Sequence, residues 1–157
     1  MMTLHNWLMF LHILGAIVWV GAVILMTAMT ERANRAPDRA GVLRLSRELE
    51  WVGPWLIGTS SAVVIGAGIW LVFVEEGMAF SQVWIWLALA LVAVSSVQGI
   101  YSGPEGKRVL LMADERGPED REVLRRLNRL LWLARLDVLI LVVVLWLMVF
   151  KPGGPAE

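Results

Sequence analysis

His5, Met9, His12, Ala16 and Trp19 follow one another at offsets of four, seven, eleven and fourteen residues from His5. On a helix of 3.6 residues per turn these positions return to nearly the same angle, so they form one stripe. The stripe runs through "LHILGAIVWVG", residues 11–21, an apolar stretch in which His12 is the one titratable group. An imidazole there needs a partner, because a buried polar group left unpaired is costly. Three readings of His12 stand open. It can hydrogen-bond a neighbouring helix, with Ser60, Ser61, Ser95 or Gln98 as candidate partners. It can be an axial ligand of haem b, since a neutral imidazole nitrogen binds iron well. Gly15 or Ala16 would then leave room for the macrocycle, and Trp19 would close the pocket. Or His5, Met9 and His12 can pass Cu(I), which imidazole and thioether ligands suit. His5 and His12 are too far apart on one side of one helix to ligate both faces of a single haem.

Other polar residues lie near the ends of apolar stretches. Arg135 and Asp137 are two residues apart, so on a helix they point in different directions and make poor partners for each other. Arg135 reads either as a side chain reaching for lipid headgroups or as an anchor for an acidic group such as a propionate. Lys151 reads either as an interfacial anchor or as a second axial ligand or propionate partner. Gln98, Ser95 and Ser96 suit hydrogen bonds between helices, and Glu75 and Glu76 suit a solvated link. With no cysteine in the chain, disulfides, thiolate catalysis and Cys-held zinc or iron–sulfur centres are excluded. No nucleophile triad, phosphate loop or paired-carboxylate site appears.

These residues have to be positioned by membrane-spanning helices. Of the 157 residues 58% are hydrophobic and 18% charged, a more apolar balance than that of soluble domains. The apolar residues fall in four blocks, about 5–30, 54–75, 82–102 and 130–150, each near the ~20 residues that cross a bilayer as a helix. Backbone groups in lipid must be paired internally, so the fold expected is all-α: a four-helix membrane bundle forming one domain over 1–157. The first span lacks a basic start and is too long for a signal peptide, so it is expected to remain. The link between spans one and two carries Arg32, Arg35, Arg39, Arg44 and Arg47. That between spans three and four carries seven basic residues, and that between spans two and three carries none. The positive-inside rule then puts both termini outside.

Helical periodicity continues into both basic links. "APDRAGVLRLSRELEW" predicts a helix entering the second span, interrupted at Gly53-Pro54. "GPEDREVLRRLNRLLW" predicts a helix with Pro118 near its first turn, continuing to Phe150 over about 50 Å. Gly58, Ala62 and Gly66 recur every four residues in the second span, which reads as close helix packing or as room for a flat ligand. Trp7, Trp51, Trp55, Trp84 and Trp132 fit an interfacial belt, while Trp19, Trp70, Trp86 and Trp146 are expected deeper. The tail 151–157 is expected to be loose. Zero net charge, with basic residues beside the spans, gives no sign of nucleic-acid binding.

The pattern His12, Trp19, Gly21, with Gly15 three residues after the histidine, resembles the first helix of a group of small four-helix bacterial membrane proteins. The group includes CopD-type copper-resistance domains, HemJ-type protoporphyrinogen oxidases and a predicted integral membrane family of unknown function, which is the closer match. "ARLDVLILVVVLWLMVFKPG", with Arg135, Asp137, Lys151 and Pro152, resembles the HemJ last helix. The HemJ likeness implies haem b held by His12 and oxidation of a porphyrinogen, with a membrane redox partner. The CopD likeness implies copper uptake or tolerance. A third expectation is an accessory subunit of a larger membrane complex with no cofactor, in which the polar residues only knit helices together. Self-association stays open beside each.

Overall fold

The computed structural model describes residues 3–35, 38–48, 53–74 and 80–153, without the side chain of Pro54. Among them are five α-helices and no strand: α1 Leu4–Arg35, α2 Arg39–Glu48, α3 Gly58–Val74, α4 Val83–Arg116 and α5 Arg121–Phe150. Four helical segments are long and apolar enough to cross a membrane, α3 counting from Trp55. Trp51, Glu75, Glu76, the junction 49–52 between α2 and α3, and the end of the tail, 154–157, lie outside the described residues.

The helix boundaries follow from local chemistry. Asp38 precedes α2, and its Oδ1 accepts from Gly41 N–H at 3.0 Å. Asp120 caps α5 in the same way, accepting from the backbone N–H groups of Glu122 at 2.9 Å and Val123 at 3.3 Å. The helix therefore begins at Arg121, with Pro118 in the turn ahead of it and not in its first turn. It ends at Lys151, whose left-handed backbone (φ 42°) closes a bond from its N–H to Leu147 O.

Gly53–Ile57, where a kink or interruption is expected, is a π-helical turn leading straight into α3, so the helix is irregular there; its join to α2 lies outside the described residues. The fourth helix, α4, does not stop near residue 102: it passes through Pro104 to Arg116. A proline removes one helical hydrogen bond, but here the following turns are held by packing. Glu105, Val109, Leu110 and Ala113 are all buried.

α3 packs on α1, α1 on α5 and α5 on α4, whereas the α3 and α4 backbones scarcely meet among the described residues. Trp19, Val23, Val64, Val92, Leu141 and Val144 fill the middle of the bundle. Trp84, Ile85, Ala88 and Leu147 form a second cluster near the end that holds the α3–α4 link. Trp84, expected in an interfacial belt, packs inward, and its indole N–H donates to Gln82 Oε1 at 3.1 Å. Trp70, Trp86 and Trp146 are exposed on the outer surface of the bundle, the side that meets lipid at any depth.

At the opposite, arginine-rich end, α2 and the extensions of α1, α4 and α5 make a head with its own core of Ala33, Leu43, Val109, Val123 and Leu127. Ion pairs lace it: Arg39 with Glu119 at 2.5 Å, Arg47 with Asp114 at 2.8 Å, and Arg126 with Glu105 at 2.5 Å. Arg39 also donates to the carbonyls of Ala33 and Asn34, closing the end of α1.

Close approach between spans uses glycines other than those expected. Nothing lies within 4 Å of where a Cβ would stand on Gly58 or Gly66, and Ala62 is exposed, so the stripe faces away from the bundle. Gly15 and Gly68 form the α1–α3 contact instead.

Candidate functional site around His12

Gly15 is buried because α3 fills the space beside it: an added Cβ would meet Val64 Cγ2 at 2.9 Å and Ser60 O at 3.3 Å. This close crossing brings the His12 ring against α3. Nδ1 is 2.9 Å from the Val64 carbonyl oxygen. A carbonyl only accepts, so Nδ1 carries the proton and donates, and Nε2 keeps the lone pair. The ring lies over Gly68, where a Cβ would meet Cε1 at 2.9 Å and Nδ1 at 3.1 Å. The absence of a side chain at residue 68 is therefore what admits the imidazole. Of the helix partners considered for His12, neither a serine nor Gln98 is used. Ser60 donates to Leu56 O at 2.5 Å, Ser61 to Gly58 O at 3.0 Å, and Gln98 to Leu133 O at 2.6 Å.

One side of the ring borders a partly open cavity of about 40 Å³, lined by Ala16 and Trp19 of α1, Val64 of α3, Val92 of α4, and Leu141 and Met148 of α5. Its wall is almost wholly carbon. Among the described residues Nε2 accepts no hydrogen bond, and it is not sealed in, so its lone pair is free at the edge of the bundle core. A proton fixed on one imidazole nitrogen by a backbone carbonyl, with the other nitrogen free, is the arrangement found in metal-ligating histidines.

The remaining site residues are distributed as follows. Ala16 and Trp19 line the cavity, and Trp19 is only 4% exposed. His5 and Met9 lie half-buried toward the N-terminal end of α1. Lys151 is exposed at the α5 terminus and is not part of the cavity wall. Arg135 is far from His12, at the arginine-rich end. It pairs with Glu31 at 2.5 Å across α1 and α5, and stacks over Trp132 with 5.2 Å to the ring centroid. Sequence reading did not couple Glu31 with Arg135, because 104 residues separate them.

Residues 6–152 match the profile of a family described as "Predicted integral membrane protein (DUF2269)". The chain belongs to this family. The match spans all four crossing helices and the arginine-rich head, so both are covered by the family's profile. No curated protein and no solved structure matches the chain.

The imidazole donor suits iron, but a porphyrin needs a pocket of the order of 300 Å³ or more, and the cavity beside His12 is about 40 Å³. Gly15, expected to leave room for the macrocycle, is already filled by α3. A porphyrin does not fit between the helices as they stand. No three His, Cys, Asp or Glu side chains gather among the described residues, so a metal ion here would rely on single imidazoles and thioethers.

Proposed function

We propose that this membrane protein handles Cu(I) as cargo at His12, with the arginine-rich head in the cytoplasm of a bacterium and the His5 end facing outward. The observation that carries the reading is the fixed imidazole. The bond from Nδ1–H to Val64 O holds the ring, and Nε2 is left with a free lone pair. Around it are soft donors and little else: Met9 and His5 lie one and two turns above on the same stripe, and Met148 stands in the cavity wall. Thioether and imidazole ligands favour Cu(I) over harder ions, and a bare ion is compatible with a space of about 40 Å³. Orientation follows from the loop charges, since both basic links lie at the head.

Haem b is the second reading, supported by the loose α3–α4 edge: parting these helices would widen the space beside His12. One preparation separates the two. Protein purified in mild detergent under reducing conditions is titrated with Cu(I) against a chromophoric chelator, and its visible spectrum is recorded. Retention of one Cu(I), lost in His12→Ala and weakened in Met9→Leu, supports copper. A Soret band lost in His12→Ala supports haem. Colourless protein that holds neither, and co-purifies with other membrane subunits, refutes both and favours an accessory role.

A further inference from the structure

One turn from the cavity floor toward the head, the apolar bundle encloses a second polar group. Asp137 of α5 and Ser95 of α4 stand side by side, 7% and 2% exposed. Neither Asp137 Oδ1 nor Ser95 Oγ is in hydrogen-bonding geometry with any atom of the described residues. Above them are Val92, Ile140 and Leu141, all carbon. Below them the Gln98 amide donates to Leu133 O.

Among the described residues no compensating charge faces the pair. On α5 the nearest cation, Arg135, is tied to Glu31 and Trp132. On α1 the titratable groups of the span are His5 and His12 at the far end, and Glu31 at the head. α3, residues 58–74, has none, and along α4 the first is Tyr101, covered by Arg129. A bare carboxylate in such a place is uncompensated. A hard metal ion would want six or more oxygen ligands, and one carboxyl and one hydroxyl are the side-chain oxygens at hand. A proton needs only one of them.

We propose that Asp137 and Ser95 form a proton-binding site inside the membrane, loaded and emptied from the arginine-rich end. Loading makes the O–H bond of the Asp137 carboxyl, which donates to Ser95 Oγ. Emptying returns the proton toward the head past Gln98, and the Ser95 hydroxyl turns to donate to the carboxylate. In the other direction the pair meets only the carbon side chains of Val92, Ile140 and Leu141. The site is independent of what His12 binds.

The test is infrared spectroscopy of the full chain in phosphatidylcholine liposomes at neutral pH, comparing wild type with Asp137→Asn. The expected result is a carbonyl band of a protonated carboxylic acid in wild type, absent in Asp137→Asn, shifted in frequency in Ser95→Ala, and moved on transfer to D2O. Circular dichroism of each variant checks that the helices remain; should Asp137→Asn not fold, the Ser95→Ala shift carries the test. Absence of the band from wild type overturns the proposal, as does a band unaffected by either folded variant. A band that never responds to D2O overturns loading from the head.

Discussion

Replacing Gly68 by alanine tests whether His12 is held as described. A Cβ there would stand 2.9 Å from Cε1 and 3.1 Å from Nδ1 of the His12 ring, closer than such atoms pack. The ring must move, and its 2.9 Å bond to Val64 O is lost. Losing that bond costs about 0.6–2 kcal/mol in a membrane setting, and displacing a packed ring adds about 1–3 kcal/mol. Against this, alanine is better than glycine in a helix by about 1 kcal/mol. The net expectation is a loss of about 0.6–4 kcal/mol. In a His12→Ala background the same substitution has nothing to collide with and only the helical gain remains, so it is neutral or stabilising. The double-mutant cycle therefore has a coupling of about 2–5 kcal/mol, larger than the net loss because the helical gain cancels between backgrounds. The assay is unfolding in mild detergent followed by far-ultraviolet circular dichroism on the four proteins. Gly66→Ala, which has open space around it, serves as the control and should be tolerated. If Gly68→Ala costs the same with and without the His12 ring, the placement of the imidazole over Gly68 is wrong.

Removing the α5 cap by Asp120→Ala should lower stability by about 1 kcal/mol and speed hydrogen exchange at the Glu122 and Val123 amides, which it accepts from; unchanged exchange there contradicts the cap. Arg126→Met should lower the thermal midpoint more than Arg125→Met, since Arg126 ties Glu122 to the buried Glu105 while Arg125 reaches only Glu122. Hydrogen bonds from Arg126 first, then Arg125, hold the Glu122 carboxyl below its usual range, so its contribution is full above the ordinary carboxylate pKa of about 4.3 and fades as pH falls below that. Proteolysis of the head should accordingly accelerate in acid for wild type, and less so for Glu122→Gln. Because the chain has no cysteine, single cysteines report orientation cleanly: Ser81→Cys should react with an impermeant maleimide in intact cells, and Ala40→Cys only after permeabilisation. The reverse pattern overturns the orientation.

Much of this architecture is readable without coordinates, because it depends on periodicities that the chain carries locally. Four apolar blocks of bilayer length become four spanning helices, and Asp38 and Asp120 announce the starts of α2 and α5. The stripe from His5 to Trp19 holds in part, with His12, Ala16 and Trp19 meeting at one cavity. What stays hidden depends on register between helices. Gly66 and Gly68 look alike in sequence, yet only Gly68 has His12 against it. The Gly58–Ala62–Gly66 spacing has the form of a packing stripe but faces outward, because in lipid small residues say that approach is possible and not which neighbour is there. The third apolar block ends near residue 102, yet α4 runs on through Pro104, since buried contacts on its far side carry the helix through. Ser95 and Asp137 each stand out as polar residues in an apolar segment, but only the pairing of α4 with α5 sets them side by side.

The central claim is that the proton of the His12 imidazole is on Nδ1, given to Val64, so that Nε2 is free to bind. Nitrogen NMR of protein labelled with ¹⁵N-histidine, in detergent and without added metal, reads this directly, with His5→Gln used to leave a single imidazole. The account predicts one protonated, pyrrole-type resonance at Nδ1 and one unprotonated, pyridine-type resonance at Nε2, and the latter should move when Cu(I) is added. A proton on Nε2 with a bare Nδ1 contradicts it.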